Sequence, residues 1–385
     1  MLISMNVGGT ERAFLNMLQQ LSENEYEITV LLLQRKGGLY QEIPEYVNVI
    51  EMQDFPLVHK LTSYNPKAKL VRYLSKHCYK QAFSLLILHI YMKITKSRKV
   101  LFKKAFKNIP MLEKKYDIAV AFAGPMDIIT YYIVKRVKAT EKYQWIHFDV
   151  NHVGFDLNFA KKMYKHFNCV YVVSKTATLH LQEKLPTLIN KIKTQTNTIP
   201  AITINELARK EEVLSSSSTI KIVTVARIMK EKGPDIAVKV LSKLKKLGYN
   251  IKWYWIGKGE WSSYIEVLIK ELKIEDSFIL EGLKSNPYPY MRQSDIYVQP
   301  SRHEGYCLTI AEAKILNKPI VTTATAGGEE QIKHRKTGLI SEINERDLME
   351  KIIELIENPK LKNSLCYSLQ KENESKITPF YLSAF

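Results

Sequence analysis

The sequence predicts an α/β protein of two domains, each a parallel sheet crossed by helices. Short apolar runs of strand length alternate with stretches of helical period along the whole chain, the pattern of strand–helix–strand crossovers. The composition breaks near the middle, where the polar "INELARKEEVL" runs into four serines at 215–218. A length of 385 residues also suits two domains, at roughly 100–200 residues each. Hydrophobic residues make up 45% and charged residues 25%, so each half can bury a core without disulfide or metal staples.

The elements follow in order. Residues 1–6 begin with strand-like residues, Gly8-Gly9 makes a turn, and Thr10 is a candidate N-cap. Ala13, Phe14, Met17, Leu18 and Leu21 then recur at helical spacing. "YEITVLLLQ" (26–34), "YDIAVAFAG" (116–124, closed by Gly124-Pro125), "YQWIHFDV" (143–150) and "CVYVVS" (169–174) read as strands. "IKIVTVAR" (220–227) starts the second series. "IAVKVLSKLKKLG" is a helix stopped by Gly248 as the C′ residue, and "NIKWYWIGKG" is a strand and turn. "YIEVLIKEL" is a helix, "SFILEG" and "SDIYVQPS" are strands, a helix containing Glu312 follows, and "PIVTTA" is the next strand. The domains are expected at 1–200 and 219–363, with a linker at 201–218. Residues 364–385 form a tail expected to pack back on the N-terminal domain, its last stretch, "KITPFYLSAF", being apolar and aromatic enough to dock.

Charge is uneven. The net charge is +18; residues 1–200 hold 29 Lys/Arg against 15 Asp/Glu (+14), and residues 201–385 hold 28 against 24 (+4). Between Phe55 and Leu112 there are 13 Lys/Arg and no acid. Inside that window "AFSLLILHIYMKI" (82–94) is too short to span a bilayer, which needs about 20 apolar residues. Cations around an apolar run suit an anionic membrane surface. Nucleic-acid binding is the other charge-based reading, placed below it, and a solvated basic face over a buried helix is the bland one. The four cysteines, Cys78, Cys169, Cys307 and Cys366, form no C-x-x-C pair, which argues against a zinc site or disulfide framework and fits a reducing cytosol. No signal-peptide pattern is evident at the N-terminus.

Four clusters carry chemistry. Glu304 lies in the loop after the strand "IYVQPS", at the carboxyl end of a parallel strand, where open α/β sheets bind ligands. Gly305 permits close backbone approach, and the amides that follow open a helix suited to an anion. Glu312 lies in that helix and suits sugar hydroxyls; the bland readings are an exposed loop residue and a solvated helix face. Arg227 and Lys232 follow the strand 220–227 and are able to neutralise a diphosphate without a metal, the alternative being ordinary surface charges. Gly8 and Gly9 open a helix against phosphate or sugar, as any tight turn would. His147 and Asp149 follow the strand at 143–150. They offer a polar contact to substrate, a buried hydrogen-bonded histidine or, with His152, the weaker possibility of a metal site. No P-loop, nucleophile elbow, H-E-x-x-H or Asp-x-Asp occurs, and "GKG" (257–259) lacks the third glycine of a dinucleotide fingerprint.

Together the clusters resemble glycosyltransferase family 4, the group 1 glycosyltransferases of the GT-B fold, in its bacterial surface-polysaccharide branch. The resemblance covers nearly the whole chain. It is strongest in "TVARIMKEKG", "IGKGE", "NPYPYMRQSDIYVQPSRHEGYCLTIAEA" and "GGEEQIKHRKTGLI". Glu304 and Glu312 match the family's Glu-x7-Glu pattern, and "NVGGTER" matches its N-terminal glycine loop, which implies that the strand before it is expected to be shorter than is usual in the family.

The resemblance implies two Rossmann-like domains facing a central cleft, and a retaining, metal-independent sugar transfer from a nucleotide-diphosphate sugar, with uridine the expected base. No cofactor is implied. Arg227, Lys232, Glu304 and His147 would be the catalytic set. Gly8, Gly9, Gly305, Tyr306, Leu308, Thr309 and Glu312 would complete the donor site. A lipid-linked or saccharide acceptor of capsule or exopolysaccharide synthesis, and a cytoplasmic location peripheral to the inner membrane face, complete the expectation. The rivals are a sugar-nucleotide epimerase or a pyridoxal-dependent phosphorylase of the same fold, and a non-catalytic basic protein binding polysaccharide or nucleic acid.

Overall fold

A computed structural model describes all residues except 63–65, 76, 96–98, 108, 215–217 and 376–385. The chain forms two compact units, residues 1–196 and the residues from 197 onward.

The N-terminal unit carries two parallel sheets. β1 (Thr29–Leu32) pairs with β2 (Asn48–Glu51). β3 (Lys115–Gly124), β4 (Lys138–Ile146), β5 (Cys169–Val172) and β6 (Ile192–Thr194) lie side by side in that order. Residues 1–6 contribute an isolated bridge rather than a strand: Leu2 pairs with Leu32, its N–H donating to the Leu31 carbonyl at 3.0 Å. Phe102, Phe106, Phe159, Tyr164 and Phe167 are buried in the core, and Phe106 stacks on Tyr131 with ring centres 5.7 Å apart.

Two local expectations change here. Thr10 lies inside the helix Gly9–Leu18; Gly8 is its N-cap and offers no side chain, so the first-turn amides lack a side-chain cap. β4 starts at Lys138 and stops at Ile146, before His147, rather than spanning 143–150. Its first half, "KATEK", is only half-buried and polar, and carries no apolar signal. Parallel pairing from Lys115↔Lys138 onward makes it a strand nonetheless.

The C-terminal unit is built on β7 (Ile220–Val225), β8 (Ile251–Ile256), β9 (Phe278–Gly282), β10 (Ile296–Gln299), β11 (Ile320–Thr323) and β12 (Leu339–Ser341). All neighbours are parallel, in the order β12-β11-β10-β7-β8-β9. The central strands are covered on both faces, which is why they read as unbroken apolar runs; Trp253 and Trp255 of β8 are fully buried. The helix Pro234–Lys246 has proline in its first turn and Lys243, Lys245 and Lys246 in its last, each matched to the helix dipole. Gly248 follows with φ +90°, as its C′ role expects.

The segment 201–218 contains a helix, Ala201–Ala208, whose Ile204 and Ala208 are buried among the core residues of the C-terminal unit. Residues 364–375 continue the helix Pro359–Ser375, and its Leu365 and Leu369 are fully buried in that same unit. The rest of the anticipated tail, 376–385, lies outside the described residues.

Candidate active site

The strand order places a switch point between β7 and β10. From β7 the chain builds outward through β8 and β9, then returns to the other side of β7 and builds outward again. Loops leaving the carboxyl ends of β7 and β10 therefore diverge and open a crevice, the site where such sheets bind ligands. Arg227 and Lys232 stand in one loop, and Glu304 in the other.

Those loops are held close. Gly233 has φ +68°, and a Cβ there would lie 2.0 Å from the Pro300 carbonyl oxygen, so only glycine lets the backbones approach this way. Arg302 clamps them with a bidentate pair to Asp235, both contacts 2.7 Å, while its Nη1 also donates to the Lys230 carbonyl at 2.9 Å. Burial would raise the Asp235 carboxyl, but the Arg302 guanidinium outweighs it and holds the group below its usual range.

Glu304 is 5% exposed. Its Oε2 accepts from Lys232 Nζ at 2.7 Å. Its Oε1 accepts from Ser301 Oγ at 2.7 Å and from Gln299 Nε2 at 3.3 Å. Gln299 in turn accepts from Tyr297 Oη at 2.7 Å and Thr309 Oγ1 at 3.2 Å. The carboxylate is thus fixed from three sides and neutralised by Lys232. Arg227, by contrast, is exposed and makes no side-chain ion pair or hydrogen bond among the described residues.

Cys307, in the left-handed region at φ +60°, starts the helix Leu308–Ile315. Within it Glu312 is 3% exposed and accepts from Tyr288 Oη at 3.2 Å. Neither glutamate is the solvated surface residue of the bland reading. Gly305, Tyr306 and Thr309 are half-buried and Leu308 is buried along the same stretch. Burial, with Glu330 nearby, pushes the Tyr306 hydroxyl up to about 12. The Gly327 N–H donates to the Glu304 carbonyl at 3.2 Å, and the Gln331 amide donates to the Cys307 carbonyl at 3.0 Å, so the helix Ala326–Gln331 braces the Glu304 loop.

Sequence reasoning missed Gln299, Ser301, Tyr288 and the Arg302–Asp235 clamp. A signal for the first two exists: polar side chains at i and i+2 leaving an otherwise apolar strand. Tyr288 and Asp235 carry no local signal, since their partners are distant in sequence.

Gly8, Gly9 and His147 belong to the N-terminal unit. Phe122 packs on both His147 (centroids 4.6 Å) and Phe14 (5.4 Å), which links the glycine-opened helix to the histidine. Burial pulls the His147 imidazole down to about 3, against a smaller opposing effect of a backbone hydrogen bond at Phe122, so the ring is neutral at ordinary pH. Its Nε2 is buried without a hydrogen-bond partner among the described residues. Asp149, 1% exposed, accepts from His180 Nδ1 at 2.9 Å and lies 3.9 Å from His152 Nε2. Among the described residues no group of three His, Cys, Asp or Glu is placed to hold a metal ion, so His147, Asp149 and His152 do not form such a group.

Residues 206–371 match the family described as glycosyl transferases, group 1. The match lies within the C-terminal unit and covers less than half of the chain. Among the chain's relatives is the capsular polysaccharide biosynthesis glycosyltransferase CapM of Staphylococcus aureus, 27% identical over 176 residues, 45% of this chain and 46% of CapM. The N-acetylgalactosamine-N,N'-diacetylbacillosaminyl-diphospho-undecaprenol 4-alpha-N-acetylgalactosaminyltransferase of Campylobacter jejuni is 27% identical over 145 residues, 37% of this chain and 39% of the relative. The matched region spans less than half of either relative. The crystal structure of Anabaena HepE in complex with UDP matches over the whole of this chain and 96% of HepE, with a TM-score of 0.69 at 15% identity. The fold is GT-B.

Proposed function

We propose that the protein is a retaining, metal-independent glycosyltransferase that moves a sugar from a nucleotide diphosphate to a lipid-linked or saccharide acceptor in surface-polysaccharide synthesis. One observation carries the reading: the switch point of the six-stranded sheet gathers Arg227, Lys232 and the buried Glu304 at its carboxyl edge. CapM and the Campylobacter enzyme, whose names place them in capsule synthesis and on an undecaprenol-linked saccharide, support the acceptor class, and the UDP of HepE supports uridine.

In this mechanism the bond between the sugar's anomeric carbon and the diphosphate oxygen breaks, the acceptor hydroxyl oxygen bonds to that carbon on the same face, and the hydroxyl proton passes to the departing diphosphate. Charge builds on the departing diphosphate. Lys232 is already committed to Glu304, so Arg227 supplies the uncompensated cation and Lys232 a shared one. Glu304 and the amides after it hold the sugar. Glu312, exchanging the Tyr288 hydroxyl or sharing it, takes the ribose hydroxyls. Gly8 and Gly9 let the backbone approach the donor, and the neutral His147 meets a sugar or acceptor hydroxyl; no protein nucleophile is assigned. The basic N-terminal unit draws the enzyme to an anionic cytoplasmic membrane face, where a lipid-linked acceptor resides.

The test is calorimetric titration with uridine, guanosine and adenosine diphosphates, in chelator. One nucleotide should bind, and Arg227→Ala should abolish that binding and lower turnover by about 10²–10³ with the fold retained, the usual cost of one charge-stabilising group. Undiminished turnover in Arg227→Ala would sink the assignment.

A further inference from the structure

The helix Tyr79–Thr95 turns an apolar face outward. Phe83, Leu86, Ile87, Ile90, Tyr91 and Ile94 are between 43% and 76% exposed. Their spacing, i, i+3, i+4, i+7, i+8 and i+11, makes one continuous stripe along the helix. Ala82, on a different flank, is 5% exposed, so the helix does have a packed side, and the stripe is not on it. The helix is held by its neighbours: it packs on Pro66–Ser75, and Lys104 Nζ, from the helix Lys99–Ala105, donates to Ser84 Oγ at 2.9 Å. Val71 of Pro66–Ser75, 65% exposed, adds to the apolar surface.

Charge selects the occupant. The window from Phe55 to Leu112 holds 13 Lys/Arg and no acidic residue. Lys80, Lys103, Lys104 and Lys107 are exposed. A second copy of this chain would bring the same cations against them and repel. An anionic bilayer satisfies both features at once, with acyl chains for the stripe and headgroups for the lysines. At 17 residues the helix is about 25 Å long, and no helix of the described residues is long and apolar enough to cross a membrane, so the fit is in the plane of the interface.

We propose that the Tyr79–Thr95 helix is an in-plane membrane anchor whose Phe83–Ile94 stripe inserts among the acyl chains of an anionic leaflet. The proposal rests on the peripheral-membrane reading above and goes beyond it, because attraction by charge alone releases in salt whereas insertion does not. It also fixes which face of the N-terminal unit meets the lipid.

The test uses the full chain and vesicles of phosphatidylcholine with phosphatidylglycerol. Sedimentation should find it bound at low salt and still bound at about 0.5 M salt, where the Debye length is only a few ångströms. The triple variant Phe83→Ser, Ile87→Ser, Ile90→Ser should partition at least about tenfold more weakly at high salt, having lost three large apolar groups. Its nucleotide titration should match the parent, which shows that it folds. In a separate Phe83→Trp variant, brominated acyl chains should quench fluorescence beyond the loss seen with the parent's own tryptophans. Binding that disappears in salt, with no extra quenching in the Phe83→Trp variant, overturns the insertion and leaves the electrostatic reading intact. No vesicle binding under any condition overturns both. A concentration-dependent dimer that the triple variant abolishes, without lipid quenching, assigns the stripe to a second copy and overturns the anchor.

Discussion

The carboxyl edges of the two units' sheets are finished in opposite ways. In the C-terminal unit the buried Glu304 has Lys232, Ser301 and Gln299, and the half-buried Asp235 has both arms of Arg302. In the N-terminal unit His147 Nε2 and Trp145 Nε1 are buried with no hydrogen-bond partner among the described residues. A buried unpaired donor or acceptor costs about 1–3 kcal/mol. The first edge is therefore organised before any ligand arrives, as electrostatic stabilisation requires. The second carries an unmet hydrogen-bonding capacity that a sugar or acceptor hydroxyl would satisfy.

Substitutions can break this contrast. The largest effect is expected at the Lys232–Glu304 pair. Lys232→Met leaves a buried carboxylate without its cation and should cost about 3 kcal/mol in urea unfolding, much of it recovered when Glu304→Gln is added. A double-mutant cycle with no coupling would remove the pair from the preorganised edge.

Next comes Gly233→Ala. Positive φ and the Pro300 carbonyl both oppose a Cβ, and a loss of about 2 kcal/mol or more is expected, together with weaker nucleotide binding as the loop shifts. Gly248→Ala is the control: its φ is also positive, but a Cβ meets nothing within 4 Å, so only the backbone cost of about 1 kcal/mol should appear. Equal losses at the two sites would mean that the close approach of the β7 and β10 loops contributes nothing.

His147 sharpens the other side of the comparison through pH. Its folded value, about 3, lies below the ordinary 6.5, so the unfolded chain takes up the proton first as pH falls. This contribution to stability is intact above pH 6.5 and is lost downward toward pH 3, by about 1.4 kcal/mol per unit and about 2 kcal/mol at pH 5. His147→Gln should flatten that slope between pH 5 and 7; an unchanged slope would mean that the imidazole is not buried neutral.

The smallest effect is expected at Gly8→Ala. The new Cβ meets only the movable Glu11 carboxylate, so stability should change by no more than about 0.5 kcal/mol. If the backbone there approaches the donor, the Michaelis constant rises while the unfolding midpoint stays put. A parallel fall in both would make Gly8 structural only.

Much of this was legible in local sequence. Parallel-strand runs such as "IKIVTV", the helix closed by Gly248, and the Glu304/Glu312 spacing depend on residue period and turn chemistry, which neighbouring residues set between themselves. The polar first half of β4 was not legible, because its strand character comes from pairing with β3. Nor was the outward stripe of Tyr79–Thr95: a helical period shows that an apolar face exists, and only packing shows that it faces away from the core. The return of β10 to the free side of β7 was likewise a tertiary decision. Either edge of the growing sheet offers the same unpaired hydrogen-bonding groups, and which one is taken depends on the whole core. That choice brings Lys232 to Glu304 across 72 positions and leaves Arg227 without a counter-charge among the described residues.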